Sequence, residues 1–265
     1  MRLNQLEQAH RQQITPVVNS ALTLFAPYKG QTISTGLWLS LLTLLFSVVQ
    51  PASAAVASIS RTFYDEERSR IFPELPRHEF YLAIPEFEHF VSDMEEVRPA
   101  LQRAGTTDAD ITKAAMRAAR HVENSGRLTT IRAVESDPLN NDELIVEEIS
   151  NFELRAQYQR KRGQAVAWAR IATGAETCGW CLMLVSRGAV YHSEESAGGD
   201  GGWHDGCDCK VVPVFNQDDW EGRDRYRAAE EMWKHETKGF SSREAINAMR
   251  RAAYAGKYQE YLRKT

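Results

Sequence analysis

Five residues of this chain have the types and spacing for metal chemistry: Cys178, Cys181, His204, Cys207 and Cys209. All four cysteines of the protein fall within 32 consecutive residues, as a C-x2-C pair and an H-x2-C-x-C cluster with 22 residues between them. Two short ligand groups separated by a loop of this length match the way a tetrahedral zinc site is supplied. The tight C-x2-C turn lets both sulfurs face one point, and the second cluster closes over it. Five donors for four positions leave one spare, either His204 or one of the thiols. Two other readings stand beside a structural zinc: four reduced thiols packed as small apolar side chains, or two disulfides. His192 lies further off and reads as a surface histidine.

Motifs for catalysis are weak. The chain has no H-E-x-x-H helix pair and no G-x-S-x-G elbow. His192 and Glu194 have the H-x-E spacing of zinc deaminases, but the C-x2-C precedes them where that pattern needs it to follow. Ser186 or Ser193 with His192 or His204 is the one serine-hydrolase pairing available. A metal site filled by protein ligands leaves no position for a reacting water and is structural, so no catalytic residue is assigned.

The elements that must position these residues are mostly helical. Among 265 residues, 26% are charged and 43% apolar, with a formal net charge of −4, which fits a folded soluble protein and shows no global attraction to nucleic acid. Four cysteines in a chain of this length do not make a secreted disulfide scaffold, and a reducing interior such as a bacterial cytoplasm fits better. Between Lys29 and Arg61 there is no charge, and Leu37–Val49 is strongly apolar. That run is short of the roughly 20 residues a membrane span needs and too far from the start for a signal peptide. It reads as a buried or partner-facing helix ended by Gln50-Pro51.

Apolar residues at three- and four-residue spacing predict an amphipathic helix over 3–25, with a bend at Pro16. Four prolines between Phe72 and Pro99 leave an irregular connection holding a short helix over 86–97. Thr107 and Asp110 form a capping box opening a helix to Glu123, stopped at Ser125-Gly126, with a short helix over 128–134. The run E-S-D-P-L-N-N-D at 135–142 is a break and a candidate domain boundary. A helix is predicted over 143–172, carrying a basic band at Arg160, Lys161 and Arg162, with Gly174 after it. A strand ending at Tyr191 is expected to pair with C-K-V-V-P-V-F, giving a small β-ribbon that carries both halves of the metal site. Trp220, Tyr226 and Trp233 form a packing stripe on a tail helix. Ser241 and Glu244 suggest a capping box for a last, locally basic helix over 243–262. The fold class is mainly α with a small β-ribbon module (α+β), in regions 1–70, 71–140, 141–216 and 217–265.

The segment H-D-G-C-D-C-K-V-V-P at 204–213 resembles the H-x-x-C-R-C-x-x-x-P signature that ends the MuF domain of tailed-phage minor head proteins. The preceding A-R-I-A-T-G-A-E-T-C-G-W-C-L-M-L-V-S-R-G-A-V-Y resembles the C-x2-C variety of actinobacterial phages. This chain has Asp208 where the signature has Arg. The resemblance implies extended N-terminal helices for docking, residues 141–216 as a MuF-like domain, and a minor capsid protein of few copies. Its place would be inside the capsid near the portal vertex, after assembly in the host cytoplasm, with roles in head assembly and DNA ejection. The implied partners are the portal protein, the major capsid protein, packaged DNA, and a second copy through Leu37–Val49. Two alternatives belong to other classes: a capsid maturation protease, and a membrane-active ejection protein using the same apolar helix.

Overall fold

The structure is a computed structural model that describes residues 1–103, 105–140, 152–161, 166–174, 177–195 and 203–265. It begins with α1 (Leu3–Phe25), α2 (Thr35–Ile71), α3 (Phe87–Glu95), α4 (Arg98–Gln102) and α5 (Asp108–Glu135). α6 (Phe152–Lys161) and β1 (Ala167–Ile171) follow, then α7 (Gly179–Val185) and β2 (Lys210–Val214). The chain closes with α8 (Arg223–Glu236), α9 (Ser242–Tyr254) and α10 (Lys257–Leu262). The class is mainly α with one two-stranded antiparallel sheet among the described residues.

Two expected helix breaks are absent, each for a packing reason. α2 runs through Pro51 for 37 residues. Pro51 is exposed, so the Ser47 carbonyl it cannot bond is left on the water side. Val49, Ala52 and Ser53 around it are buried, and that burial outweighs the roughly 3 kcal/mol cost of an interior proline. α1 likewise continues through the exposed Pro16. α5 opens with the expected box, Thr107 N donating to Asp110 Oδ2 at 2.8 Å and Asp110 N to Thr107 Oγ1 at 3.3 Å. It then passes unbroken through Ser125 and Gly126. A Cβ at Gly126 would lie 2.6 Å from Ser60 Oγ, 2.8 Å from Val56 Cγ1 and 3.1 Å from His10 Cε1. The glycine is there so that α1 and α2 can close on α5.

Those three helices enclose one apolar cluster containing Phe25, Trp38, Leu42, Val49, Phe90, Met94 and Val122. Within the apolar run, Trp38, Leu41, Leu42, Leu45 and Val49 face inward, while Leu39 and Leu44 are 40% and 61% exposed. By length and composition α2 is apolar enough to cross a membrane, and 39% of its most apolar window is buried inside the fold.

A second cluster surrounds the cysteines. It draws Tyr64, Phe72, Ile131 and Val134 from before the 135–142 break and Trp168, Phe215, Met232 and Met249 from after it. At the break itself Asp137 is fully buried, taking bonds from the Tyr64 hydroxyl and from Arg68 Nε at 2.8 Å.

The sheet departs from the sequence reading. β2 pairs with β1, in the register Ala167↔Val214 to Ile171↔Lys210. Residues 167–171 therefore form a strand where a helix to 172 was expected, and Tyr191 makes only an isolated bridge with Trp168, their rings 4.7 Å apart. Every residue of β1 and β2 is buried; β2 is the strand expected from C-K-V-V-P-V-F, whereas β1 lacks the polar–apolar alternation by which a half-exposed strand is recognised. Of the helix expected over 143–172, residues 143–151 and 162–165 lie outside the described residues, as do the side chains of Arg160, Lys161 and Arg162. The last helix is two, α9 and α10, parted at Gly256 with φ 73°. Ser241 makes no side-chain cap bond. Trp220 and Tyr226 stack at 6.0 Å, as a packing stripe should.

Candidate metal centre

Both halves of the Cys/His cluster come from short, locally determined structures. Cys178 is the N-cap of α7, and its Sγ accepts the Cys181 backbone N–H at 3.3 Å. The C-x2-C spacing thus becomes cap and third residue of one helical turn, and its two sulfurs share a side. The other half is a turn rather than a strand: Cys207 N donates to the His204 carbonyl at 3.1 Å, with Gly206 at φ 74°. Cys209 then leads directly into β2. The centre is therefore carried by a helix N-terminus and a turn, not by the two strands of a ribbon.

The five donors converge. Cys178 Sγ lies 3.0 Å and Cys181 Sγ 3.4 Å from His204 Nε2, and Cys181 Sγ lies 3.4 Å from Cys207 Sγ. Ligand atoms of Cys178, Cys181 and His204 all fall within 4.8 Å of one another, as do those of Cys181, Cys207 and Cys209. The donors form two triangles that share Cys181. Neighbouring ligands of a tetrahedral zinc stand roughly 3.5–3.8 Å apart, given bonds of about 2.0–2.3 Å, so this set suits that ion. His204 Nδ1 faces the Asp205 carbonyl at 3.0 Å, an arrangement that holds a ligating imidazole with Nε2 toward the metal. All four cysteines are free thiols, so the disulfide reading is set aside. Cys181, Cys207 and Cys209 are buried, Cys178 is half-buried and His204 is exposed.

Protons are shared unevenly within the cluster. The hydrogen bond from Cys181 and the one to His204 hold the Cys178 thiol down to about 4, against burial. Contacts with Cys178, Cys207 and Cys209 push Cys181 up. Hydrogen bonds from Cys181 and Cys209 bring Cys207 down. Cys209 is pushed up by Cys207 and burial, although its hydrogen bond with Cys181 works the other way. The Cys178 thiolate raises His204 to about 9. A divalent cation held by such a cluster would displace these protons, which would couple metal affinity to pH.

Residues far away in sequence build the surroundings. Arg127 of α5 donates from Nη2 to the Cys207 carbonyl at 2.7 Å and from Nη1 to Asn124 Oδ1 at 2.9 Å. Its guanidinium lies 4.4 Å and that of Arg170 3.6 Å from the centre of the Trp203 ring. Two buried cations thus stand beside a site whose thiolates would leave it negative. Asp208, at the position of the signature Arg, ties the two halves together. Its Oδ2 accepts Gly174 N at 2.6 Å and Thr177 Oγ1 at 2.9 Å, and its carbonyl accepts Thr173 Oγ1 at 2.5 Å. Thr177 directly precedes Cys178, so this carboxylate fixes one ligand pair against the other.

The proposed hydrolase residues do other work. Ser186 Oγ donates to the Met183 carbonyl at 2.8 Å, and the exposed His192 sets Nδ1 against the Val166 carbonyl at 3.2 Å. The imidazole of His204 faces the thiols. Beside it, a cleft of about 540 Å³ is lined by Asp93, Glu96, Arg117, Arg120 and Asp205, whose charges are paired with one another.

A family model described as VG15 protein matches residues 2–235. The Gene 15 protein of Mycobacterium phage D29 is 35% identical over 262 residues, covering 83% of this chain and 87% of that protein. The Gene 15 protein of Mycobacterium phage L5 is 35% identical over 242 residues, covering 78% and 75%. No solved structure matches.

Proposed function

The chain belongs to the VG15 protein family, a family of bacteriophage proteins, and from that premise we propose that it is a minor capsid protein of the MuF-like kind. It is a structural part of the virion, held inside the head at the portal vertex, and it serves head assembly and DNA ejection. The observation that carries this reading is the five-donor cluster closed entirely by protein and braced by Arg127 from the helical bundle. A centre of that kind builds architecture and leaves no position for a substrate. The ion is zinc, with Cys181 the donor common to both triangles. Its partner is the portal protein, met through the uncharged outward side of α2 around Leu39 and Leu44, where a second copy could also pack. The major capsid protein and packaged DNA are the neighbours inside the head.

Co-expression of the tagged chain with its portal and major capsid proteins tests this. The chain is expected to sediment with portal-containing heads, to be lost from heads assembled without portal, and to leave the major capsid protein uncleaved. A chain that stays in the soluble fraction in both cases would overturn the structural reading. Cleavage of the capsid protein that depends on Ser186 and His204 would replace it with the protease.

A further inference from the structure

Next to the cysteine cluster, the C-terminal helices gather cations, of which Lys257 pairs with Glu236 at 2.7 Å while most of the others meet no carboxylate among the described residues. Residues 238–265 hold Lys238, Arg243, Arg250, Arg251, Lys257, Arg263 and Lys264 against only Glu244 and Glu260, in a chain whose net charge is −4. α9 is two-sided. Ala245, Ala248, Met249 and Ala252 are buried, while Arg243, Asn247, Arg250 and Tyr254 recur at the spacing of the opposite face, with Arg251 beside them. Arg243, Arg250 and Arg251 are exposed and form no ion pair among the described residues. Arginines of the bundle behave otherwise: Arg61, Arg68, Arg117 and Arg120 each meet carboxylates.

Two aromatic side chains stand out at the same place. Tyr254 is 80% exposed and Trp180 43% exposed. Gly179, next to Trp180, lies so close to α9 that a Cβ there would be 2.5 Å from Arg250 Cα. The C-x2-C helix therefore presents its tryptophan beside the basic face. A merely solvated helix face mixes charges of both signs and has no reason to hold two large aromatics in water.

We infer that this face, Arg243, Arg250, Arg251 and Tyr254 of α9 with Trp180 of α7, binds the phosphate backbone of double-stranded DNA without reading its sequence. Guanidinium groups and the tyrosine hydroxyl and indole N–H are the donors that phosphate oxygens take. Arg243 and Arg250 lie two helical turns apart, roughly 10 Å along the axis, a spread of single charges that suits a regularly charged polymer better than a compact acidic pocket. The inference deepens the virion reading by naming the surface that faces DNA, and it rests on that reading only for where the DNA is met.

Fluorescence anisotropy of the full-length, zinc-supplemented protein with a labelled random-sequence duplex, over a series of salt concentrations, is the test. Binding is expected at low salt and should weaken steeply as salt rises, because each phosphate contact releases counterions. The triple variant Arg243→Gln, Arg250→Gln, Arg251→Gln should lower the slope of log K against log salt by roughly 2.7, about 0.9 per lost contact. Tyr254→Ala and Trp180→Ala should weaken binding at every salt concentration with the slope unchanged. All of these side chains are at least part-exposed, so circular dichroism and zinc content should match the parent. No binding at about 50 mM salt, or an unchanged slope in the triple variant, overturns the inference. Equal affinity for polyglutamate would assign the face to an acidic protein instead. A chain that binds DNA but never joins heads would leave this inference standing and remove the virion reading.

Discussion

Arg127 donates from Nε to the carbonyl oxygen of Cys209 at 3.0 Å, joining residues 82 positions apart. The same guanidinium holds the Cys207 carbonyl, so the backbone on both sides of Asp208 is fixed by one side chain of α5. Arg127→Leu leaves both carbonyls without this donor, while Glu123 keeps Lys210 as its partner at 2.9 Å. Leaving a buried carbonyl without its donor costs about 1–3 kcal/mol, and two are affected. Urea denaturation should show a loss of that order, and zinc affinity measured by competition with a chromophoric chelator should fall by roughly 10–100-fold, as for other residues that orient metal ligands.

The shared position of Cys181 sets an order of importance among the donors. Cys181→Ala removes a corner from both triangles and should abolish stoichiometric zinc binding, read by elemental analysis of protein purified without added metal. Cys178→Ala and His204→Ala each leave the Cys181, Cys207 and Cys209 triangle whole, and each should retain more zinc than Cys181→Ala. For the parent, zinc at about a thousand times its dissociation constant adds roughly 4 kcal/mol. Chelation should therefore lower the Tm by roughly 10 °C in a chain of this size. A parent protein with no bound zinc and no chelator response would remove the metal from the account.

Asp208 offers a test of how the two halves are joined. Asp208→Ala strips the acceptor from Gly174 N and Thr177 Oγ1 while leaving all five ligands in place. Zinc affinity should drop by roughly 10–100-fold. Asp208→Asn keeps one carbonyl oxygen for the same donors and should recover much of the loss. Equal affinity in all three proteins would make the carboxylate incidental.

What the sequence reveals here follows the range of the interactions. The cysteine spacing was readable because each half of the centre is a local structure, a capped turn and a hydrogen-bonded turn of a few residues. The helices 3–25 and 87–95 and the Thr107–Asp110 box are equally local. Arg127 had no local signal, since its meaning comes from carbonyls 80 and 82 residues away. β1 was hidden because a strand buried on both faces has no alternation to read. The same limit explains the misread breaks: Pro51 and Gly126 are helix breakers by intrinsic preference, and only tertiary neighbours decide otherwise.

Gly126 turns that last point into a measurement of opposite sign. In an exposed helix, Gly→Ala stabilises by about 1 kcal/mol. Here the added methyl would enter the space held by Ser60 Oγ and Val56 Cγ1. Overpacking of this kind costs about 1–3 kcal/mol, so Gly126→Ala should lower the urea midpoint, and Gly126→Val should lower it further. A stabilised Gly126→Ala protein would mean that α2 and α5 do not cross at this residue.

Asp93 links α3 to α5 and makes stability depend on acid. Burial raises its carboxyl pKa, but the hydrogen bond with His121 and the charges of Arg120 and Arg117 outweigh it and hold the group below its ordinary value. His121 Nδ1 and Arg117 Nη1 stand 3.4 and 3.2 Å from its oxygens. With the folded value depressed, the unfolded chain binds more protons as pH falls, so the stabilisation is complete above about pH 4, the unfolded carboxylate value, and is lost as pH drops through the folded one. Asp93→Asn removes that contribution and leaves Arg120 and Arg117 short of a counter-charge. At neutral pH the variant should unfold at lower urea than the parent, and the gap between them should narrow steadily below about pH 4. A gap that stays constant with pH would show that Asp93 holds the two helices by shape and not by charge.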